Sequence, residues 1–160
     1  GIFNLVLDFF GLPQLKWMLS EETSLLSIII VFVWKMLGYN IMIILAALQS
    51  VPREVYEAAK MDRAGQVKTF FHVTIPMISP TLVFLITNNV TSSFCSFDII
   101  DLMTKGGPKN SSNMMVYWIY ENAFSYYRVG PAMAGAVMLL MLVGSISVLV
   151  FTISNRKAHY

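Results

Sequence analysis

Few side chains in this chain are able to do chemistry, and they are scattered. Asp98 and Asp101 stand at i and i+3, a spacing that places two carboxylates on one helix face and could suggest a cation site. A solvated helix end would show the same pair, and no metal is expected here. Cys95 is the sole cysteine, so no internal disulfide can form, and His72 and His159 lie too far apart for metal-ligand spacing. No Ser/His/Asp or Cys/His arrangement emerges for a membrane-bound enzyme. No Gly-rich loop runs into Lys-Ser/Thr, so the chain cannot hold ATP in the P-loop manner, and no cofactor is expected.

Lys35 is different, because it sits inside a long apolar run. An ammonium at the centre of a membrane helix costs at least ~2.5–3.5 kcal/mol unless it finds water or a partner. It should therefore face the interior of a helix bundle, where Asp98 could pair with it. Tyr39 and Asn40 nearby offer an aromatic face and hydrogen-bonding groups suited to a hydroxylated solute, and Ser93 and Ser96 add polar groups on another apolar segment. The same groups would serve equally to hydrogen-bond neighbouring helices.

The elements that must position these residues follow from composition. Hydrophobic residues make up 56% of the chain and charged residues 12%, about half the charged share of a soluble domain, so a lipid bilayer is the expected solvent. Three runs, about 24–48, 73–100 and 131–153, reach the ~20 residues needed to cross the hydrocarbon core as helices. The expected fold is all-α, a polytopic transmembrane bundle with about three spans. Arg53, Lys60, Arg63 and Lys68 between the first two spans, with Arg156 and Lys157 after the third, place those segments in the cytoplasm by the positive-inside rule. A net charge of +2 spread over several short loops excludes a nucleic-acid surface. The chain opens on Gly1 with neither the basic start nor the cleavage site of a signal peptide, and a fragment lacking its natural N-terminus is expected.

Pro76 and Pro80 predict a kink early in the second span. Gly106-Gly107-Pro108 with several Asn and Ser predicts an external turn-rich loop, followed by an aromatic interfacial helix over about 114–126. In the cytoplasmic loop, about 50–72, Ser50-Val51-Pro52 reads as a helix start, with a capping hydroxyl and a proline in the first turn. A short helix should run to about Asp62. Val55, Ala58, Ala59 and Asp62 share one of its faces, and the paired alanines leave that face shallow enough for another surface to approach. Gly65 then permits a reversal.

The string EAAKMDRAGQVKTFFHVTIPMISP resembles the EAA loop of binding-protein-dependent ABC importer permeases. Glu57, Ala58 and Ala59 match its opening, and Val73, Ile75 and Pro76 match its closing segment. The pattern's glycine falls at Arg63, with Gly65 two residues on as the alternative flexible point. LQSVPREVYEAA, Trp34-Lys35 with Gly38-Tyr39, and Gly106-Gly107-Pro108 followed by YWIYENAF are similar to the sugar and glycerol-phosphate branch. The likeness covers nearly the whole chain and corresponds to the C-terminal half of a six-span type I importer permease.

That resemblance implies a multi-pass subunit of a bacterial inner membrane, importing a sugar, a sugar-like solute or glycerol phosphate. The implied partners are a dimer of cytoplasmic ATP-binding subunits, a second permease subunit and an extracytoplasmic solute-binding protein. Glu57, Ala58, Ala59, Asp62 and Gly65 would couple to the ATPase. Lys35, Tyr39, Asn40, Ser93 and Ser96 are candidates for the solute path. An ion-coupled carrier or channel is the alternative, and it leaves the EAA string unexplained.

Overall fold

The computed structural model describes residues 1–157, with the backbone alone for 154–157. His159 therefore lies outside the described residues, as do the side chains of Arg156 and Lys157 that count toward a cytoplasmic tail. The described chain is all-α: α1 Ile2–Phe9, α2 Ser24–Ser50, α3 Arg53–Met61, α4 Gln66–Thr69, α5 Ile75–Phe94, α6 Phe97–Met103, α7 Met115–Tyr120 and α8 Val129–Lys157. Two π-helical turns, Phe70–Thr74 and Glu121–Ser125, prolong α4 and α7. Three continuous helical stretches are long and apolar enough to cross a bilayer: Ser24–Ser50, Gln66–Phe94 and Val129–Ile153. Almost none of their side chains are covered by the rest of the chain, as expected of surfaces that face lipid or other helices.

The second span differs from the sequence expectation of 73–100. It begins earlier, at Gln66, and stops at Phe94, because Cys95 and Ser96 leave the helix and a new one starts at Phe97. A hydroxyl-rich stretch precedes the break. Ser93 Oγ donates to the Val90 carbonyl at 2.7 Å in the last turn, as serines and threonines of the unbroken α8 also do, and an apolar run carries no mark of where a helix ends. The irregularity expected from the prolines takes the form of a π turn. The Ile75 N–H donates five residues back to the Phe70 carbonyl, one residue before Pro76, whose missing N–H could not continue an ordinary ladder.

The chain divides into two compact units. The first comprises Gly1–Val33 and Cys95–Leu139, and its core is Ile28, Ile99, Ile100 and Tyr117, with Val31, Phe97 and Met103 packed against them. Phe97 stacks on Tyr117 with ring centroids 5.8 Å apart, and Tyr120 leans on Phe97 at 4.6 Å. The loop 104–114 folds back through left-handed residues at Lys105, Gly106, Lys109 and Asn110. It is tied down by a Ser24–Ser111 hydroxyl bond of 2.8 Å and a Lys109–Glu21 ion pair. Gly135 of α8 lies so close to Trp118 that a Cβ there would meet the indole ring at 2.8 Å. The second unit comprises Trp34–Phe94 and the chain from Leu140 onward, and it holds α3 and most of the second span.

Candidate functional site

The connector between α2 and α5 is built around α3, and its entry differs from the sequence reading. The first span continues as α2 through Ser50, whose Oγ donates back to the Ala47 carbonyl at 2.7 Å instead of capping the next helix. Pro52 is the cap, in an extended conformation at φ −61° and ψ 139°, where its fixed φ costs nothing. Glu54 lies in the first turn and Lys60 in the last, each at the end of the helix dipole that favours its charge.

The exit of α3 is a Schellman turn. The Ala64 N–H donates to the Ala59 carbonyl and the Arg63 N–H to the Lys60 carbonyl, both at 3.0 Å, the paired bonds that close such a motif. This geometry requires a left-handed residue after the cap, and Arg63 supplies it at φ 53°. Glycine would adopt that conformation without the ~1–2 kcal/mol that a Cβ adds. Gly65, expected to make the reversal, does not make it: at φ −66° and ψ 159° it is an ordinary extended residue before α4. The reversal belongs to Arg63, the residue that occupies the EAA pattern's glycine position.

The helix has two unlike faces. Val55, Ala58, Ala59 and Asp62, the face singled out from the sequence, line a cleft closed by Lys68, His72 and Val73 of the same connector. Ala59 is buried within the chain, at 8% exposure. Tyr56, next to this face, accepts a long hydrogen bond of 3.4 Å from the buried Thr74 hydroxyl at the start of the second span. Glu57, Ala58 and Met61 are exposed, and Met61 is 86% exposed. Met61 lies four residues after Glu57 and three after Ala58, so the three form one outward ridge, whose Ala58 edge borders the cleft. Met61 was missed in the sequence reading; a methionine on an otherwise charged turn was the available signal.

The candidate solute-path residues separate. Lys35 and Tyr39 are exposed on α2. Asn40 forms a reciprocal amide pair with Asn89 of α5: Asn89 Nδ2 donates to Asn40 Oδ1 at 3.0 Å and Asn40 Nδ2 to Asn89 Oδ1 at 3.4 Å. Asn89 had not been singled out. Ser93 spends its hydroxyl on the Val90 carbonyl. Ser96 belongs to the first unit, where it is buried at the break between α5 and α6. Among the described residues no three His, Cys, Asp or Glu side chains converge as metal ligands.

The family model "Binding-protein-dependent transport system inner membrane component" matches residues 2–160. The sn-glycerol-3-phosphate transport system permease protein UgpA of Pectobacterium atrosepticum is 37% identical over 160 residues, covering 98% of this chain and 54% of that permease. The probable ABC transporter permease protein YurN of Bacillus subtilis is 32% identical over 151 residues, covering 93% of this chain and 52% of that protein. This chain thus spans about half the length of the curated relatives it matches. Among solved structures, a bacterial ABC transporter involved in import of the acidic polysaccharide alginate superposes with a TM-score of 0.82 at 23% identity, over 98% of this chain and 55% of that one. Its complex with an alginate pentasaccharide-bound periplasmic protein gives 0.84. At that identity the superposition speaks for the fold.

Proposed function

We propose, from the premise that this chain belongs to the family of binding-protein-dependent transport system inner membrane components, that it is the C-terminal part of an importer permease driven by a separate cytoplasmic ATPase through α3. The observation that carries this reading is the division of labour on that helix. Ala59 and Tyr56 hold it to the start of the second span, while Glu57 and Met61 stand outward and Ala58 is exposed at the edge of the cleft. A push on the ridge would move α3 and the base of the span together, as rigid-body coupling between packed elements requires. The Schellman turn at Arg63 fixes the angle at which α3 leaves for α4. Docking thus centres on the ridge that adjoins the cleft face, keeping Glu57 and Ala58 from the coupling residues named in the sequence reading and adding Met61, with Ala59, Asp62 and Gly65 shaping the support behind it.

The cargo is a sugar, a sugar-like solute or glycerol phosphate; sn-glycerol-3-phosphate is the solute in the names of several relatives, and the acidic polysaccharide alginate that of the solved transporter. The Asn40–Asn89 pair is the polar feature of the second unit best suited to meet it. Each amide keeps one N–H beyond the reciprocal bonds, and intramembrane hydrogen bonds of this kind average only ~0.6 kcal/mol. A hydroxylated solute can therefore exchange with them at little cost. Tyr39 and Lys35 lie on the same helix, within about one turn and a half of Asn40. The complete importer would include an ATP-binding subunit dimer, a second permease subunit and an extracytoplasmic solute-binding protein, in a bacterial inner membrane.

Ala58→Trp tests the docking role. A bulky ring on the ridge holds the ATPase away, so solute uptake is lost while the protein stays in the membrane at wild-type abundance. Unchanged uptake would overturn the assignment.

A further inference from the structure

Side chains of the second span bond to three other helices of the second unit, at two levels. At its base the Thr74 hydroxyl donates to Tyr56 of α3 at 3.4 Å. Asn89 lies fifteen residues after Thr74, ~22 Å along the axis at 1.5 Å per residue. There it exchanges two amide bonds with Asn40 of α2, at 3.0 and 3.4 Å, and two residues on Thr91 meets Ser147 of α8 at 3.4 Å. The helix is unbroken between these levels, from Ile75 to Phe94. A movement that reaches Thr74 through α3 therefore reaches Asn89, and it cannot draw Asn89 away from α2 without stretching the amide pair.

We infer that the Asn40–Asn89 pair is a latch, which restrains the second span while the path is empty and lets go when solute takes over its amide groups, so that ATP hydrolysis follows cargo. This rests on the proposed coupling through α3 and adds the regulation of it. The three links are unequal. Tyr56–Thr74 and Thr91–Ser147 are single, long bonds, whereas the Asn40–Asn89 pair is reciprocal and joins two half-buried amides. Separating them in an empty path leaves four amide groups without partners away from water, which costs free energy. Solute hydroxyls both donate and accept, so they can satisfy the same groups after separation. The solute therefore binds the separated arrangement better than the closed one, and that differential affinity is what shifts a conformational equilibrium. Intramembrane bonds of this kind are weak, so the latch sets a several-fold restraint. Asn89 is thus a positioning residue for the span as well as a solute contact.

The test measures ATP hydrolysis by the intact membrane complex in nanodiscs, with no solute and no solute-binding protein present. Asn89→Leu removes both bonds, as does Asn40→Leu should the first variant not assemble, and basal hydrolysis is expected to rise ~3–10-fold over wild type. The pair is locked instead by Asn40→Cys with Asn89→Cys in a Cys95→Ser background, bridged by a short bifunctional methanethiosulfonate. Hydrolysis should then fall below wild type and return when the bridge is reduced. A pair that only holds helices together would lose abundance and hydrolysis alike on substitution, and one that only touches solute would leave basal hydrolysis unchanged; either result, or a bridge without effect, would overturn the latch. Asn89→Leu combined with Ala58→Trp separates the two readings. High basal hydrolysis that survives Ala58→Trp contradicts docking through α3, whereas low basal hydrolysis in Asn89→Leu alone contradicts the latch.

Discussion

The connector that precedes the second span and the one that precedes the third solve the same problem differently. Each leads through a short helix and a π turn toward a long apolar helix. The connector before α8 closes on its own unit: Ile100 is fully buried, Tyr117 and Asn122 nearly so, and the loop is tied by Ser24–Ser111 and Lys109–Glu21. The connector before α5 buries little beyond Val51, Ala59 and Thr74, and it leaves Met61, Val67 and Phe71 exposed. The difference lies in what each connector buries, since both leave apolar side chains at the surface: Leu102, Phe124 and Tyr127 in one, Met61, Val67 and Phe71 in the other. A helix packed on one side only is what the proposed coupling asks of α3, because it can move together with the base of the span.

The comparison can be broken most severely at the finished connector. Ile100→Ala empties the centre of its core and should cost ~2–5 kcal/mol, read as a lowered melting temperature of the detergent-solubilised protein. Gly135→Ala drives a Cβ into the Trp118 ring and should cost ~1–3 kcal/mol, whereas Gly144→Ala, with open space around it, should be neutral or stabilise by up to ~1 kcal/mol. Equal melting shifts for the two glycines would contradict the close approach of α7 and α8 in the first unit.

In the half-packed connector the expected sign reverses. Arg63→Gly removes the left-handed strain of the Schellman turn and should stabilise by up to ~1 kcal/mol, while Gly65→Ala should change little because that residue is already extended with room for a Cβ. Protection of the Ala64 amide against hydrogen exchange reports both.

The smallest effects belong to the surface of the finished connector. Lys109→Ala breaks an ion pair whose partners are largely solvated and should cost less than ~1 kcal/mol. The Tyr117 phenol titrates above its ordinary value of 10.0, first because it is buried and then because Glu121 and Asp101 lie near it. A folded-state pKa raised above the unfolded one means that this contribution is fully present below pH 10.0 and is lost as pH climbs through the raised value. Alkaline unfolding of this unit should therefore steepen above pH 10.0 in the wild type and less in Tyr117→Phe.

Much of this was legible in the residues. The three spans follow from apolar length, and the short helix before Asp62 follows from Pro52 and its charge pattern. The ends of the second span were not legible, because hydrophobicity marks a solvent and carries no signal for a break at Cys95-Ser96. Ser50 reads as a cap from its type alone, and only the continuation of α2 shows its hydroxyl turned back on Ala47. Periodicity places Val55, Ala58, Ala59 and Asp62 together without telling which face of a small helix meets its own chain. That choice is made by tertiary contacts, here Ala59 and the Tyr56–Thr74 bond. The Asn40–Asn89 pair lies 49 residues apart in sequence, beyond the reach of local pattern. Arg63 is the reverse case: its residue type argued against a left-handed turn, and the hydrogen bonds of the turn prevailed.

The central claim is that the outward ridge of α3 is the surface an ATPase subunit touches. In a Cys95→Ser background, single cysteines at 58, 61 and 59 are labelled with a benzophenone maleimide in the intact importer, illuminated and resolved by mass. The account predicts cross-links to the ATP-binding subunit from 58 and 61 and little from the buried 59. Cross-links from 59 alone, or from none of the three, would contradict it.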